Sequence, residues 1–202
     1  MWGNAPPFAR GDYGGALDLL PSGESLDSTA RGSLEGSEWQ FEDNDYSTTV
    51  NGTRCTTPVT VRIVRNASGT VLLPKRFVKF KDDSTDQRIY GNQVSGYGTI
   101  GKAGGVVDEF IPATGVPANQ LFQLVVEGPT KVTSDTQGDT TISVGSFVIP
   151  GTSADGTVID QDTSVAAGAA TFAQVNGAIG RAKVAVTTTA TDFMIHMRRM
   201  GA

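Results

Sequence analysis

The chain holds one cysteine, Cys55, and one histidine, His196, in 202 residues. A lone cysteine excludes an internal disulfide framework and fits folding in a reducing compartment. A lone histidine excludes a multi-histidine metal centre. Charged residues are scarce at 18%, and no apolar run approaches the roughly 18 residues that a membrane-spanning helix needs. Two tryptophans and four tyrosines are too few and too scattered to make a stacking platform for bases or sugar rings. The opening MWGNAPPFARGDYGG has no basic segment followed by an apolar one, so a secretory signal is not expected. Without export, Asn51-Gly-Thr and Asn66-Ala-Ser read as turn chemistry rather than glycan acceptors.

Glycine is abundant instead, at 25 residues, with frequent threonine and serine. That mixture suits short strands joined by tight turns and suits long helices poorly. The net charge of −5 is unevenly spread. Residues 1–45 carry acids at 12, 18, 24, 27, 35, 38, 42, 43 and 45 against Arg10 and Arg31. From Arg54 to Lys81 every charge is basic: Arg54, Arg62, Arg65, Lys75, Arg76, Lys79 and Lys81. Pairing of these two segments within the chain and docking of the basic one on a partner are both open. One basic ribbon in an acidic chain does not make a nucleic-acid site.

The pattern predicts an all-β protein, a small β-barrel or sandwich with an extended N-terminal arm and a β-hairpin extension. Residues 1–45 read as the arm, rich in Gly, Ser, Pro and acid, with Trp2, Phe8 and Tyr13 as hooks; LDLLPSGESLD offers at most a helical turn or two. Residues 46–110 read as the extension. Val59, Val61 and Ile63 alternate with Thr60 and Arg62, NASG supplies a turn, and TVLLPKRFVKFK returns, so 57–81 is a predicted hairpin with its basic face outward. Just before it, Trp39 and Phe41 alternate as on an edge strand. Residues 82–110, with glycines at 91, 96, 98, 101, 104 and 105, read as loop. Residues 111–202 read as the barrel core. A turn is expected at Gly128-Pro129, a bulge after Gly145 in a strand through Ile142, Val144, Phe147 and Ile149, and a turn at Asp155-Gly156 before a short strand. Phe193, Ile195 and Met197 share one face of the last strand, and the alanines of 166–173 suffice for one helical turn.

Candidate chemistry is thin. GAIGRAKVAV, Gly177 to Val186, has two glycines and two cations, but a phosphate loop needs four residues between its glycines and a hydroxyl after its lysine. Ile179, Val184 and Val186 read as core-facing, and Gly180 as a point of close approach. Cys55 beside Arg54 is a conceivable nucleophile, with only the distant His196 as its base. The carboxylates Asp82-Asp83, Asp108-Glu109, Asp160 and Asp162 read as solvated loop faces, and DGTVIDQD lacks the spacing and terminal Glu of a calcium loop. No catalytic residue, cofactor or metal is expected.

Gly128-Pro129, Gly145 to Val148, Asp155 to Val158 and Gly180 to Val186 form a series of short strand-and-turn motifs in the last ninety residues. In that series the chain resembles the capsid cement, or head decoration, proteins of tailed bacteriophages. The resemblance implies a small β-barrel, commonly a homotrimer, on the outside of the virion, with the major capsid protein as partner and neighbouring capsomers tied together. It implies no catalysis, no direct nucleic-acid contact and no membrane. Trp2, Phe8 and Tyr13 of the arm and Arg62, Arg65, Lys75 and Arg76 of the hairpin are then the expected capsid contacts, and a core without residues 1–38 is expected to fold. The alternative is a tail, fibre or surface adhesin domain binding glycans, which the scattered aromatics disfavour.

Overall fold

The computed structural model describes residues 8–14, 34–42, 58–83, 88–135, 141–151, 155–161, 177–187 and 190–199. Trp2, Cys55, Asp162 and the two predicted helical turns lie outside them. The described residues form ten strands and no α-helix: β1 (Glu38–Phe41), β2 (Val59–Asn66), β3 (Phe77–Asp83), β4 (Arg88–Tyr97), β5 (Gly104–Val107), β6 (Leu121–Thr133), β7 (Phe147–Pro150), β8 (Val158–Asp160), β9 (Gly180–Ala182) and β10 (Asp192–Met197).

Strands β2, β4, β3, β5 and β6 close on themselves, because β6 pairs back onto β2. Closure removes the exposed edges that an open sheet of this size would present. The ring is antiparallel except for a short parallel contact of β2 with β4, where Arg65 and Asn66 face Gln93 and Val94. Val64, Leu72, Val78, Phe80, Val94, Val107, Val116, Phe122 and Leu124 fill it.

A second ring grows out of the first through β6. Residues 121–127 of that strand pair with β2, and residues 128–133 pair with β10. From β10 the sheet continues through β9 and β7 to β8, and a parallel bridge from Ser134 to Val158 returns it to the end of β6. The two rings repeat one topology, bond for bond. Leu72 and Val116 exchange both backbone hydrogen bonds, as do Ile142 and Val186. Lys75 N–H donates to Val107 O, as Gly145 does to Ala182; Gly98 donates to Phe77, as Gln161 does to Phe147; Ala67 donates to Val94, as Asp135 does to Val158. Their fillings correspond too: Val132, Ile142, Val148, Val158, Ala182, Val186, Phe193 and Ile195 occupy barrel two at the places of the barrel-one residues above, taken in chain order as Val64, Leu72, Val78, Val94, Val107, Val116, Phe122 and Leu124. Lys75 and Gly145 both adopt positive φ, as do Asn119 and Ala190.

Several expectations change. β2 and β3 do not pair, since β4 lies between them in the sheet order, so 57–81 is not a hairpin. Residues 88–97 and 104–107 are strands rather than loop. Their glycines tolerate what side chains would block: a Cβ on Gly105 would lie 2.6 Å from Val125 O. Gly128-Pro129 is no turn but the middle of a 13-residue strand, with Gly128 at φ 101° where the strand changes partners. Ile142 forms an isolated bridge and Val144 is exposed, so the strand begins only at Phe147, after a turn at Gly145. The ring draws its strands from both sides of residue 110 and joins segments that read as separate units in the sequence. The expected edge strand at Trp39 and Phe41, the Asp155-Gly156 turn and the buried trio Phe193, Ile195 and Met197 are all present.

Gly180 in β9 stands where Gly105 stands in β5, with a Cβ placed 2.5 Å from His196 O. The stretch that superficially suggested a phosphate loop is barrel wall, with Ile179 and Val186 buried and Val184 half-buried. Because the two positions are equivalent, Gly105→Ala and Gly180→Ala are each expected to cost about 1–3 kcal/mol from overpacking. Denaturant unfolding of both variants measures this, and a neutral result at either would contradict the close approach.

Candidate attachment surface

Of the candidate contact residues in the first 45 positions, Phe8 and Tyr13 sit on the protein's own barrel one. Residues 8–14 and 34–42 form a strap across it. Phe8 meets Trp39 edge-on, with ring centroids 5.4 Å apart, and the two pack with Leu34 on Ile63 and Leu121. Tyr13 bridges to Phe122 in β6 and packs on the residues that fill the ring. Between them, Arg10 grips the fully buried Asp108 with two hydrogen bonds of 2.5 and 2.8 Å, and its guanidinium lies 4.9 Å from the Phe110 ring centroid. Gln123, also buried, donates to Ala9 O at 2.5 Å. The strap thereby satisfies polar groups that would otherwise be stranded under it, which is costly in a low-dielectric setting.

The four candidate cations are each paired inside the chain. Arg62 faces Glu38 across the β1–β2 ladder and binds it at 2.5 Å. Arg65, expected to point outward, is nearly buried. It donates to Glu35 at 2.9 Å and to Asn119 O at 2.6 Å, while the other Glu35 oxygen accepts from Asn92. Lys75 binds Asp192, and Arg76 reaches Asp155 at 3.3 Å; both pairs clamp barrel two onto barrel one. The reversal of charge between the two sequence segments thus resolves in part as intrachain pairing. Its single missed signal was spacing: Glu35 and Glu38 sit three residues apart, as do Arg62 and Arg65, and antiparallel pairing of the two segments brings both pairs together.

Partial burial pushes the Glu38 carboxyl up, but hydrogen bonds from Arg62 and then Arg199 outweigh it and hold the group below its ordinary value. Asp192 behaves likewise: burial raises it, and hydrogen bonds from Lys75 and Thr133 bring it lower. A carboxylate lowered in the fold supports stability above its unfolded value and loses that support as pH falls through the folded one. Both pairs therefore weaken only as pH falls below the ordinary carboxylate range, through the lowered folded values. Of the acids read as loop faces, Asp82 is exposed and bound to Lys102, whereas Asp108 and Asp160 are buried.

Barrel two carries a different surface. Phe147, Gly180, Arg181, Lys183, His196 and Arg198 line a cleft of about 290 Å³ on the outer side of β7, β9 and β10. The Arg181 guanidinium stacks 4.1 Å from the Phe147 ring centroid, and Phe147 is 40% exposed. Burial, and then the charge of Lys183, hold His196 below its usual range, against a smaller opposite pull from Glu127. At neutral pH the positive charge of the cleft comes from Arg181, Lys183 and Arg198. The sequence drew attention to Gly180 and the cations Arg181 and Lys183 through the apparent phosphate loop, and to His196 as a conceivable base; His196 is half-buried at the cleft wall.

No family model matches the sequence, and no curated protein matches it. Among solved structures, the head fibre gp8.5 N base of bacteriophage phi29 aligns with 71% of this chain and 98% of its own, at 13% identity and a TM-score of 0.40. At those values the likeness assigns no role.

Removing Glu35 leaves Arg65 nearly buried without its carboxylate, so Glu35→Ala is expected to cost about 3–5 kcal/mol. Deleting residues 1–38 removes Phe8, Arg10 and Glu35 together and is expected to unfold or strongly destabilise the chain, contrary to the independent core expected from the sequence. Thermal unfolding of both variants tests this, and a deletion that melts like the full chain would contradict it.

Proposed function

We propose that the protein is a structural component of a tailed-phage particle: a cement or decoration subunit on the outside of the head, working by adhesion and without a catalytic centre, cofactor, nucleic-acid or membrane contact. The observation that carries this reading is where the motifs of the family resemblance fall. Gly128 is the pivot at which β6 passes between barrels. Gly145 makes the left-handed turn before β7 and donates to Ala182 O at 2.8 Å. Gly156, after Asp155, accepts from Phe77 N–H at 2.8 Å and so seats barrel two on barrel one. Gly180 admits β10, and Val186 closes the bridge to Ile142. The residues that resemble the cement family are thus the joints on which barrel two depends, rather than incidental turn residues.

The architecture suits such a role. Two barrels fused through one strand, riveted by Lys75–Asp192 and Arg76–Asp155, form a stiff body. Val71 and Phe110 are exposed on barrel one, and Val144 and Phe147 on barrel two. Surfaces on two barrels reach two neighbours at once, and each contact gains from the effective concentration that the other sets. A homo-oligomer, by the resemblance a trimer, multiplies these contacts. The expected contacts Phe8, Tyr13, Arg62, Arg65, Lys75 and Arg76 stay within this proposal only where a partner can compete for their present intrachain partners.

Purified chain mixed with empty heads is expected to sediment with them and to raise their resistance to heat and osmotic shock. Absence of sedimentation, together with retention on an array of glycans, would overturn the reading in favour of an adhesin.

A further inference from the structure

The repeat of the fold pairs outer-face positions of barrel one with positions on barrel two. By the shared hydrogen-bond pattern, Phe77 corresponds to Phe147, Val106 to Arg181, Asp108 to Lys183 and Val125 to His196. On barrel one this face is sealed. Phe77, Val106, Asp108 and Val125 are all fully buried. Phe77, Val106 and Val125 share one cluster with the barrel-two residues Val132, Val148 and Val158, Trp39 and Phe41 pack against that cluster, and Arg10 covers Asp108. On barrel two the same face is an open cleft, with Phe147, Arg181 and Lys183 exposed. Stacked repeats need a cap wherever no neighbour follows. Barrel one has barrel two over most of this face and the strap at Asp108, and barrel two has neither among the described residues.

We propose that the cleft of Phe147, Arg181, Lys183, His196 and Arg198 is a docking surface for an extended acidic segment of a partner protein, lying on barrel two as residues 8–14 lie on barrel one. The charge at the central position fixes the sign. Where barrel one offers Asp108 to the strap's Arg10, barrel two offers Lys183, so the incoming residue must be Asp or Glu. Phe147 and the Arg181 stack supply an apolar floor beside the charges. An extended segment brings backbone hydrogen-bonding groups, which need no special side chains. A second copy of this chain fits poorly. Face to face, it would set Arg181 and Lys183 against themselves. Head to tail, it would need the side of barrel one that its own strap covers.

Assigning the segment to a shell subunit rests on the attachment reading, so two measurements keep the proposals apart. By nuclear magnetic resonance at low salt, a decaglutamate peptide is expected to shift the signals of Arg181 to Lys183 and His196. The shifts should disappear in R181E/K183E, whose substitutions are at exposed positions and whose backbone amide spectrum elsewhere should match the wild type. No shift there, or shifts that persist in the variant, overturns the surface. With empty heads, R181E/K183E is expected to bind at least tenfold more weakly than the wild type or the charge-matched control K81E/K102E. Equal binding overturns the cleft as the attachment point and leaves attachment itself standing. A wild-type chain that fails to bind overturns the attachment reading, and the peptide result then decides the surface by itself.

Discussion

The backbone ladder along Leu121–Thr133 holds the molecule together as one body. Strands of globular proteins usually run five or six residues; this one has 13 and, at about 3.3 Å per residue, spans roughly 43 Å. No small barrel needs a wall that long. The first half closes barrel one between β2 and β5, and the second half opens barrel two beside β10. The handover is localised at Glu127 and Gly128, where the register with β2 has shifted and a Cβ would lie 2.6 Å from Pro58 O. Pro129 follows at a position where a missing N–H interrupts no shared ladder with β2. Everything that the barrels do to one another, from the packing of Phe77 to the clamp of Arg76 on Asp155, follows from that continuity.

The strap is the second dependency, and it is polar. Asp108, Gln123 and Arg65 are buried on barrel one, where apolar residues would have packed at less risk. They are tolerable because Arg10, Ala9 and Glu35 meet them. Such pairs add little net stability over well-packed apolar groups, but their geometry permits one seating of the strap and penalises others. Barrel two has Lys183 and Met194 at the places of Asp108 and Gln123. The two barrels therefore carry opposite charge at the first of these places, on a face where they also differ in what covers them.

Much of this was legible in the sequence, and the rest was hidden for physical reasons. Alternation gave β2 and β10, and turn chemistry gave Asp155-Gly156, because these depend on neighbours along the chain. The strands β4 and β5 were obscured because RIYGNQVSGY and GGVV carry glycine for close approach, and glycine reads locally as loop. The hairpin expectation failed at a long-range choice: β2 and β3 each look complete, and only the sheet order shows β4 inserted between them. The repeat of topology is not legible in the sequence because its matched residues, such as LLPKRFV and ISVGSFV, share only Phe-Val and an apolar bridge residue, while the loops between them differ in length. The cations were found, but their burial and partners depend on strand pairing, which charge counting does not supply.

Amide hydrogen exchange along β6 tests the shared-strand architecture most directly. Protection is expected to be high and continuous from Leu121 to Thr133, Pro129 excepted, with both halves exchanging through one global opening. Two halves that open independently, at clearly different free energies with a break at Gly128, would contradict it.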